Sequence, residues 1–357
     1  MTKIKKLKCR NYSIIVGENA FENLEKYVNF SRYSQVVLIS EKKIYNLWKS
    51  KIDSILKTQN KILLPSGEQT KCIKTTEMIC EKLVEFGADR KTLIVNIGGG
   101  MITDLGGFSA SIYMRGVDYV NIPTSLLAMV DASIGGKNGV NLGSVKNIIG
   151  IFGHPKAVII DVSFLQTLEK REYISAFGEI VKHAIIFDKK YFNVLTRCNE
   201  IDDKKMLLKI ISRSLKIKKN IVEKDFQEKN IRKLLNFGHT IGHVIEALAM
   251  KTDKPLLHGE AVAIGMVVEC KIAEKLNLFS PDDTKKIVNL LNKCGFENVL
   301  KMKFDFKIDD ILNIIKKDKK NVSGAVKMSL PVKIGKSKYN IEVQEKIIIE
   351  CVKNVLI

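Results

Sequence analysis

Apolar positions in the first half of the chain come in short runs separated by longer amphipathic stretches. Residues 36–40, 61–64, 93–97, 119–122 and 158–161 read as strands. Helical spacing falls between them, as over residues 75–86. This alternation predicts βαβ units and a parallel sheet. From residue 163 onward the period becomes helical. Residues 165–168, 174–187, 204–222, 232–250, 259–276, 281–294 and 308–317 place apolar side chains at three- and four-residue intervals. Only residues 326–332 read clearly as a strand. The expected fold class is α/β. A Rossmann-like parallel-sheet domain spans residues 1–162, and a mostly α-helical domain spans 163–357.

The length of 357 residues suits two domains. No apolar run approaches the ~18 residues of a membrane span. The basic N-terminus is followed by an apolar stretch, residues 12–16, too short for a signal-peptide core. A cytoplasmic protein with no membrane partner is expected. The cysteines at 9, 72, 80, 198, 270, 294 and 351 are odd in number and form no C-x-x-C pair, which points to reduced thiols. The net charge of +20 invites a nucleic-acid reading. Arginine, however, supplies only eight of the 59 basic residues, and the lysines are spread along the whole chain. No aromatic stacking platform accompanies them, so no nucleic-acid partner is expected. A small anionic substrate suits the charge equally well.

The strand at 93–97 runs directly into Gly98, Gly99 and Gly100, then Met101, Ile102, Thr103 and Asp104. A strand, a glycine run and a helix start make a phosphate-binding turn, because backbone N–H groups at a helix N-terminus favour an anion. A tight turn that needs small residues explains the same text nearly as well, and the G-x-G-x-x-G fingerprint is absent. After the strand at 61–64, Glu68 can accept ribose hydroxyls and Lys71 can reach a phosphate; a capped helix start accounts for the same residues without a ligand. Residues 115–155 are dense in glycine and polar side chains, with Asp131, Lys137, Lys146 and Asn147 among them. Such loops commonly bind ligands.

Three of the five histidines, His239, His243 and His258, fall within twenty residues of one another. His239 and His243 are spaced i, i+4, so both lie on one helix face. Arg232 and Asn236 extend that polar stripe backwards and Glu246 extends it forwards along one helix over residues 232–250. Two such histidines can simply cap or hydrogen-bond their neighbours, but the third one nearby puts metal ligation first. The missing carboxylate is Glu179, which shares a face with Lys182 and His183 on an otherwise apolar helix. Two histidines and a carboxylate with an open position are a common catalytic zinc set. Spacing alone suggests that His239 and His243 share the metal.

The stretches P-S-G-E-Q-T-K (65–71), G-G-G-M-I-T-D (98–104), Y-M-R-G (113–116), P-T-S-L-L (123–127), D-A-S-I-G-G-K (131–137), G-S-V-K-N (143–147), G-E-I-V-K (178–182), N-F-G-H-T-I-G-H (236–243), H-G-E-A-V (258–262) and D-K-K-N (318–321) follow one another in order. In this ordered set the chain resembles the 3-dehydroquinate synthase family over essentially its full length. The resemblance implies a lyase of the shikimate pathway to chorismate and the aromatic amino acids, dependent on NAD and on zinc, with cobalt as an alternative metal. It implies that Glu179, His239 and His258 hold the metal and that His243 lies beside the substrate phosphate instead. It implies NAD contacts at Glu41, Glu68, Lys71, Gly99, Gly100, Asp104, Thr124, Ser125, Lys137, Lys146 and Thr167. Substrate contacts are implied at Asp131, Lys137, Asn147, Lys182, Lys218, Arg232, Asn236, His243 and Lys320, with Lys319 as the neighbouring choice. Of these, Lys182, Asp131, Lys137, Lys218, Arg232, Asn236 and His243 are the implied catalytic set. Arg115 matches an arginine that reaches across a homodimer interface, and His183 departs from the expected pattern, most simply as a partner of the metal ligands.

The implied reaction turns 3-deoxy-D-arabino-heptulosonate 7-phosphate into 3-dehydroquinate and phosphate. Its steps are transient oxidation, β-elimination of phosphate, re-reduction and intramolecular aldol closure, with the substrate's own phosphate available as the base. Two other enzymes share parts of this pattern: a cyclase for a different sugar phosphate, and a metal-dependent alcohol or polyol dehydrogenase, which would accumulate NADH.

Overall fold

The computed structural model describes residues 4–143, 145–198, 203–250, 252–317 and 325–356. Lys319 and Lys320, the two candidates of the D-K-K-N run, lie outside the described residues. The chain divides into two compact units, Met1–Glu169 and Lys170–Ile357.

The first unit carries β1 (Lys5–Lys8), β2 (Ser13–Gly17), β3 (Gln35–Glu41), β4 (Lys61–Leu64), β5 (Thr92–Gly98), β6 (Asp118–Pro123), β7 (Lys137–Leu142), β8 (Val145–Phe152) and β9 (Ala157–Asp161). Seven of them form one sheet in the order β1-β2-β9-β6-β5-β3-β4. All pairs from β2 to β4 are parallel, and only β1 joins antiparallel. Every residue of β5 is buried, as expected for a central strand covered on both faces. Each of the five strands read from the apolar runs is present. Helices Lys42–Leu56, Ile73–Glu85 and Gly100–Ile112 connect them. The chain leaves β3 for β4 on one side and comes back to β5 on the other. The strand order therefore reverses between β3 and β5, and the carboxyl ends of these two strands flank the place where open α/β sheets bind ligands. Glu41 ends β3, and Gly98 ends β5.

β7 and β8 form a separate antiparallel hairpin. Its residues, rich in Asn, Gly and Lys, read as binding loop because no apolar alternation marks them. The turn Val162–Thr167 belongs to the first unit.

The second unit is helical: Lys170–Ser175, Phe177–Phe187, Lys189–Arg197, Lys204–Lys224, His239–Ala249, His258–Lys275, Pro281–Leu291, Glu297–Leu300, Ile308–Lys317 and Glu345–Leu356. One antiparallel hairpin, β10 (Ala325–Lys333) with β11 (Lys336–Gln344), packs among them. The single helix expected over residues 232–250 is a correction. The segment Ile231–Asn236 is a 3-10 turn, Phe237 is extended, Gly238 is left-handed at φ 80°, and the α-helix starts only at His239. The apolar period survives the break because the 3-10 turn and the helix both face the same core. No helix among the described residues is long and apolar enough to cross a membrane.

Candidate active site

In the second unit three helices meet at backbone distance. A Cβ on Gly178 would lie 2.4 Å from the Gly259 carbonyl oxygen, and one on Gly265 would lie 2.1 Å from the Gly238 carbonyl oxygen. Only a hydrogen fits at either place. The glycines thus let helices Phe177–Phe187, His239–Ala249 and His258–Lys275 approach closely enough for side chains from all three to converge.

What converges is Glu179, His239 and His258, whose candidate ligand atoms all lie within 4.8 Å of one another. Glu179 is fully buried. Its Oε1 is 3.3 Å from His239 Nε2 and 3.5 Å from His258 Nε2. Its Oε2 pairs with the ammonium of Lys182, itself buried one helical turn on. Burial pushes the Glu179 carboxyl up, but Lys182 and His239 outweigh it and hold the group well below the ordinary carboxylate range. Burial and the Lys182 charge lower His239. Burial also acts to lower His258, yet Glu179 and Glu246 together push it up to about 10. Both rings aim the same nitrogen inward. Nδ1 of His239 faces the Phe237 carbonyl at 3.2 Å, and Nδ1 of His258 faces Glu246 Oε2 at 3.4 Å. An Nδ1–H donated to either partner leaves Nε2 as the lone-pair nitrogen, the usual support for a metal-binding histidine. Two imidazoles and a carboxylate on convergent, buried supports fit zinc.

His243 is exposed, with its ring centroid 5.0 Å from that of His239 and 5.9 Å from that of His258. His243, Glu246 and His258 make a second convergent group, so spacing within the helix does not by itself choose between the two. His183 is fully buried on the helix that carries Glu179.

Carboxylates on the helix His258–Lys275 fix the starts of both histidine-bearing helices. Glu260 accepts the Leu257 N–H at 2.8 Å and a two-point contact from Arg171 at 2.8 and 2.7 Å. Glu269, fully buried, accepts the amides of Gly238 at 2.7 Å and Ile241 at 3.1 Å. Burial pushes the Glu269 carboxyl up to about 8 against these donors.

Lys218 and Arg232 are buried cations of the same unit. Arg232 Nη1 donates to the Phe226 carbonyl at 2.6 Å. Asp225 shapes this loop by accepting the amides of Lys229 at 2.9 Å, Asn230 at 2.7 Å and Arg232 at 3.0 Å. Asn236 donates to Glu228 Oε1 at 2.7 Å. Asp225, Glu228, Glu260 and Glu269 were missed in the sequence. A lone Glu269 inside the apolar run of a buried helix was the one visible signal.

In the first unit the residues at the sheet's switch point assemble as one network. Lys71 Nζ donates to Asp104 Oδ2 at 2.6 Å and to Asn147 Oδ1 at 2.5 Å. Asn141, another residue the sequence did not single out, links Glu68 Oε1 at 2.9 Å to the Asn147 amide at 2.9 Å. Asn147 therefore sits with Glu68, Lys71 and Asp104. Burial raises Glu41, opposed by hydrogen bonds from the Ser66 hydroxyl and the Gly99 amide. The Thr124 amide donates to the Gly98 carbonyl at 2.9 Å, and a Cβ on Gly99 would lie 3.5 Å from Ser125 Oγ. Gly100 opens the helix that follows. Lys146 is half-buried on β8, Lys137 is exposed at the head of β7, and Asp131 is half-buried in the π-turn Ala128–Ala132. Thr167 accepts from Trp48 Nε1 at 3.0 Å, away from the glycine turn. Arg115 is exposed at φ 69°, next to Met114 at φ 49°.

Residues 61–175 match the family described as 3-dehydroquinate synthase N-terminal, and residues 176–321 match 3-dehydroquinate synthase C-terminal. The chain is 41% identical over 352 residues to 3-dehydroquinate synthase of Dictyoglomus thermophilum, covering 97% of this chain and 96% of that one. It is 43% identical over 295 residues to the Sulfurovum enzyme of the same name, covering 83% and 81%. Among solved structures it resembles 2-deoxy-scyllo-inosose synthase complexed with carbaglucose-6-phosphate, NAD+ and Co2+, with a TM-score of 0.87 at 26% identity over 99% of this chain and 100% of that one. The 2-epi-5-epi-valiolone synthase of Streptomyces hygroscopicus, with NAD+ and Zn2+ bound, gives 0.85 at 25% identity over 99% of each chain.

Proposed function

The chain belongs to the 3-dehydroquinate synthase family, and on that premise we propose that Glu179, His239 and His258 hold a zinc ion and that the switch point of the first unit holds NAD. The enzyme is a lyase that converts 3-deoxy-D-arabino-heptulosonate 7-phosphate to 3-dehydroquinate and phosphate within the shikimate pathway. The observation that carries the site reading is the convergence of a buried carboxylate and two inward Nε2 atoms from three helices.

When bound, NAD supplies reversible hydride transfer, and the metal supplies a Lewis acid for the sugar hydroxyls. The chain does the rest by position and charge. Backbone N–H groups at Gly99 and Gly100, at the mouth of a thirteen-residue helix, receive the cofactor's phosphates. Glu41, Glu68, Lys71, Asp104, Thr124, Ser125, Lys137, Lys146 and Thr167 complete the NAD set. Lys182 keeps Glu179 ionised and, with Asp131, orients hydroxyls. Arg232 and Lys218 face the substrate carboxylate, a pairing suited to fixed cations. The family motifs assign phosphate binding to Lys137, Asn147, His243, Lys320 and Arg115, and sugar binding to Asn236. We assign NAD binding chiefly to residues 1–162, and metal binding and most of the substrate contacts to 163–357.

A homodimer completes this reading, with Arg115 supplied by the partner. Ile112, Met114, Leu142, Val145, Ile148, Ile151 and Phe152 are all exposed in the first unit, and exposed large apolar side chains suit an interface. A cytoplasmic location accords with seven free cysteines.

The test supplies the heptulosonate phosphate with catalytic NAD and metal. Stoichiometric phosphate release without accumulation of NADH supports the reading. No phosphate release refutes the cyclase, and stoichiometric NADH points to a dehydrogenase instead.

A further inference from the structure

The helix that begins at His239 has no cap of its own. Its N-cap residue is Gly238, which has no side chain to accept the amides of the first turn. Those amides are satisfied from another helix. Glu269, on His258–Lys275, takes the Gly238 N–H on Oε2 at 2.7 Å and the Ile241 N–H on Oε1 at 3.1 Å. The two donors bracket His239 on both sides.

The consequence concerns aim. His239 is the first residue of its helix, and its Nδ1 is tied to the carbonyl of Phe237 in the same segment. The direction of Nε2 therefore follows the backbone from Phe237 to Ile241, which Glu269 clamps. The clamp also shares an element with His258, the first residue of His258–Lys275. One helix thus carries one candidate ligand and the restraint on the other.

We propose that Glu269 is a positioning residue for metal binding, which sets the direction of His239 and its spacing from His258 by capping the helix His239–Ala249 from outside. This rests on the ligand set Glu179, His239 and His258. A fully buried carboxylate in an apolar helix is costly, and a structural cap alone could come from a Ser, Asn or Asp at position 238. The restraint on His239 gives the sequence a reason to place the acceptor on the neighbouring helix.

The test uses full-length Glu269→Leu and Glu269→Gln, loaded with Zn2+ or Co2+. The readouts are the metal dissociation constant, from chelator competition, and the visible absorption of the Co2+ form. Supporting groups around metal ligands contribute about 10–100-fold to affinity. Glu269→Leu is expected to weaken binding about tenfold or more and to shift the Co2+ bands. Glu269→Gln, which keeps one carbonyl acceptor, falls between Leu and the parent. If the Leu variant does not fold, the Gln variant carries the test. A cap with a purely structural role lowers the melting temperature and leaves affinity and spectrum unchanged in the folded protein, and that result overturns the proposal. Glu179→Ala, run in parallel, separates the two readings: full metal retention there refutes the ligand set, while metal loss there with parent-like Glu269 variants refutes only the positioning role.

Discussion

Removal of Glu179 and removal of Lys182 are expected to have unequal effects on the metal-free protein. Their side chains are 0% and 2% exposed and form an ion pair within one helix. In Glu179→Leu the Lys182 ammonium stays buried and loses its carboxylate. In Lys182→Met the Glu179 carboxylate keeps two imidazoles, with Nε2 atoms 3.3 and 3.5 Å from Oε1. Breaking a buried pair by removing one partner costs about 3–5 kcal/mol, a large part of the roughly 5–15 kcal/mol that holds a domain folded. Each 1.4 kcal/mol is about a factor of ten in the folding equilibrium, so the Leu variant stands to lose roughly two to three and a half powers of ten. The Met variant loses less, because its carboxylate has other partners. The double variant replaces both charges with apolar groups of similar reach and recovers most of the loss. Urea unfolding with a chelator present measures all four proteins. A metal-free Glu179→Leu protein within about 1 kcal/mol of the parent, the size of an ordinary point change, refutes the account of the pair. A double variant less stable than Glu179→Leu does so as well. Metal analysis of the same samples should show loss of the ion in both proteins that lack Glu179, whatever their stability.

Gly259→Ala puts a Cβ 1.7 Å from the Ser175 carbonyl oxygen, so at least about 1–3 kcal/mol of stability and most metal binding should go; a parent-like melting curve would contradict the close approach of the helices. Burial raises the Asp225 carboxyl, but the amides of Arg232, Asn230 and Lys229 hold it below its ordinary value. The stability it contributes is therefore complete above the unfolded aspartate value of about 3.9 and lost as pH falls through the folded one. Asp225→Ala should be less stable than the parent at pH 7, and the two should converge in acid; a gap independent of pH counts against the loop clamp. His258, raised to about 10 by Glu179 and Glu246, is protonated in the metal-free protein at pH 7, whereas a ligating imidazole is neutral. Metal loading in weak buffer should release about one proton per ion, and zero release refutes this ligand. If Arg115 acts across a dimer, inactive Arg115→Ala and inactive Glu179→Ala should regain up to about a quarter of parental activity when remixed, because half the dimers are mixed and each holds one intact site. No recovery after confirmed subunit exchange refutes the cross-subunit role.

Five of the seven sheet strands were legible because buried parallel strands read as short apolar runs. β1, β2, β7, β8 and β11 were not read. β7 and β8 mix Asn, Gly and Lys with apolar residues in no regular order, whereas β11 does alternate, Tyr339, Ile341 and Val343 against Lys338, Asn340 and Glu342. The network at the switch point was legible in part. Glu68, Lys71, Asp104 and Asn147 join one hydrogen-bonded network, but Asn141, which links Glu68 to Asn147, lies between Val140 and Leu142 with no charge or motif to mark it. Helical periodicity also hid the break at Gly238. An apolar face that continues through a 3-10 turn into a helix keeps nearly the same spacing, and one glycine is a weak mark of a stop.

That break changes which residues share an element with the histidines. On one straight helix, Arg232, Asn236, His239 and His243 would form a single line, with His239 and His243 as natural co-ligands. With the helix starting at His239, the line splits. Arg232 and Asn236 move onto a turn shaped by Asp225 and Glu228, and His239 becomes a helix-initiating residue like His258. A helix N-terminus disfavours a cation on a nearby side chain, so both positions bias an imidazole toward the neutral form that a metal requires. Burial and Lys182 add to that bias at His239. At His258 two carboxylates reverse it, but one of them is Glu179, whose charge a metal ion would share. The proton on His258 and the metal therefore compete for the same carboxylate. His243 lies within the helix, one turn after its start, and is exposed.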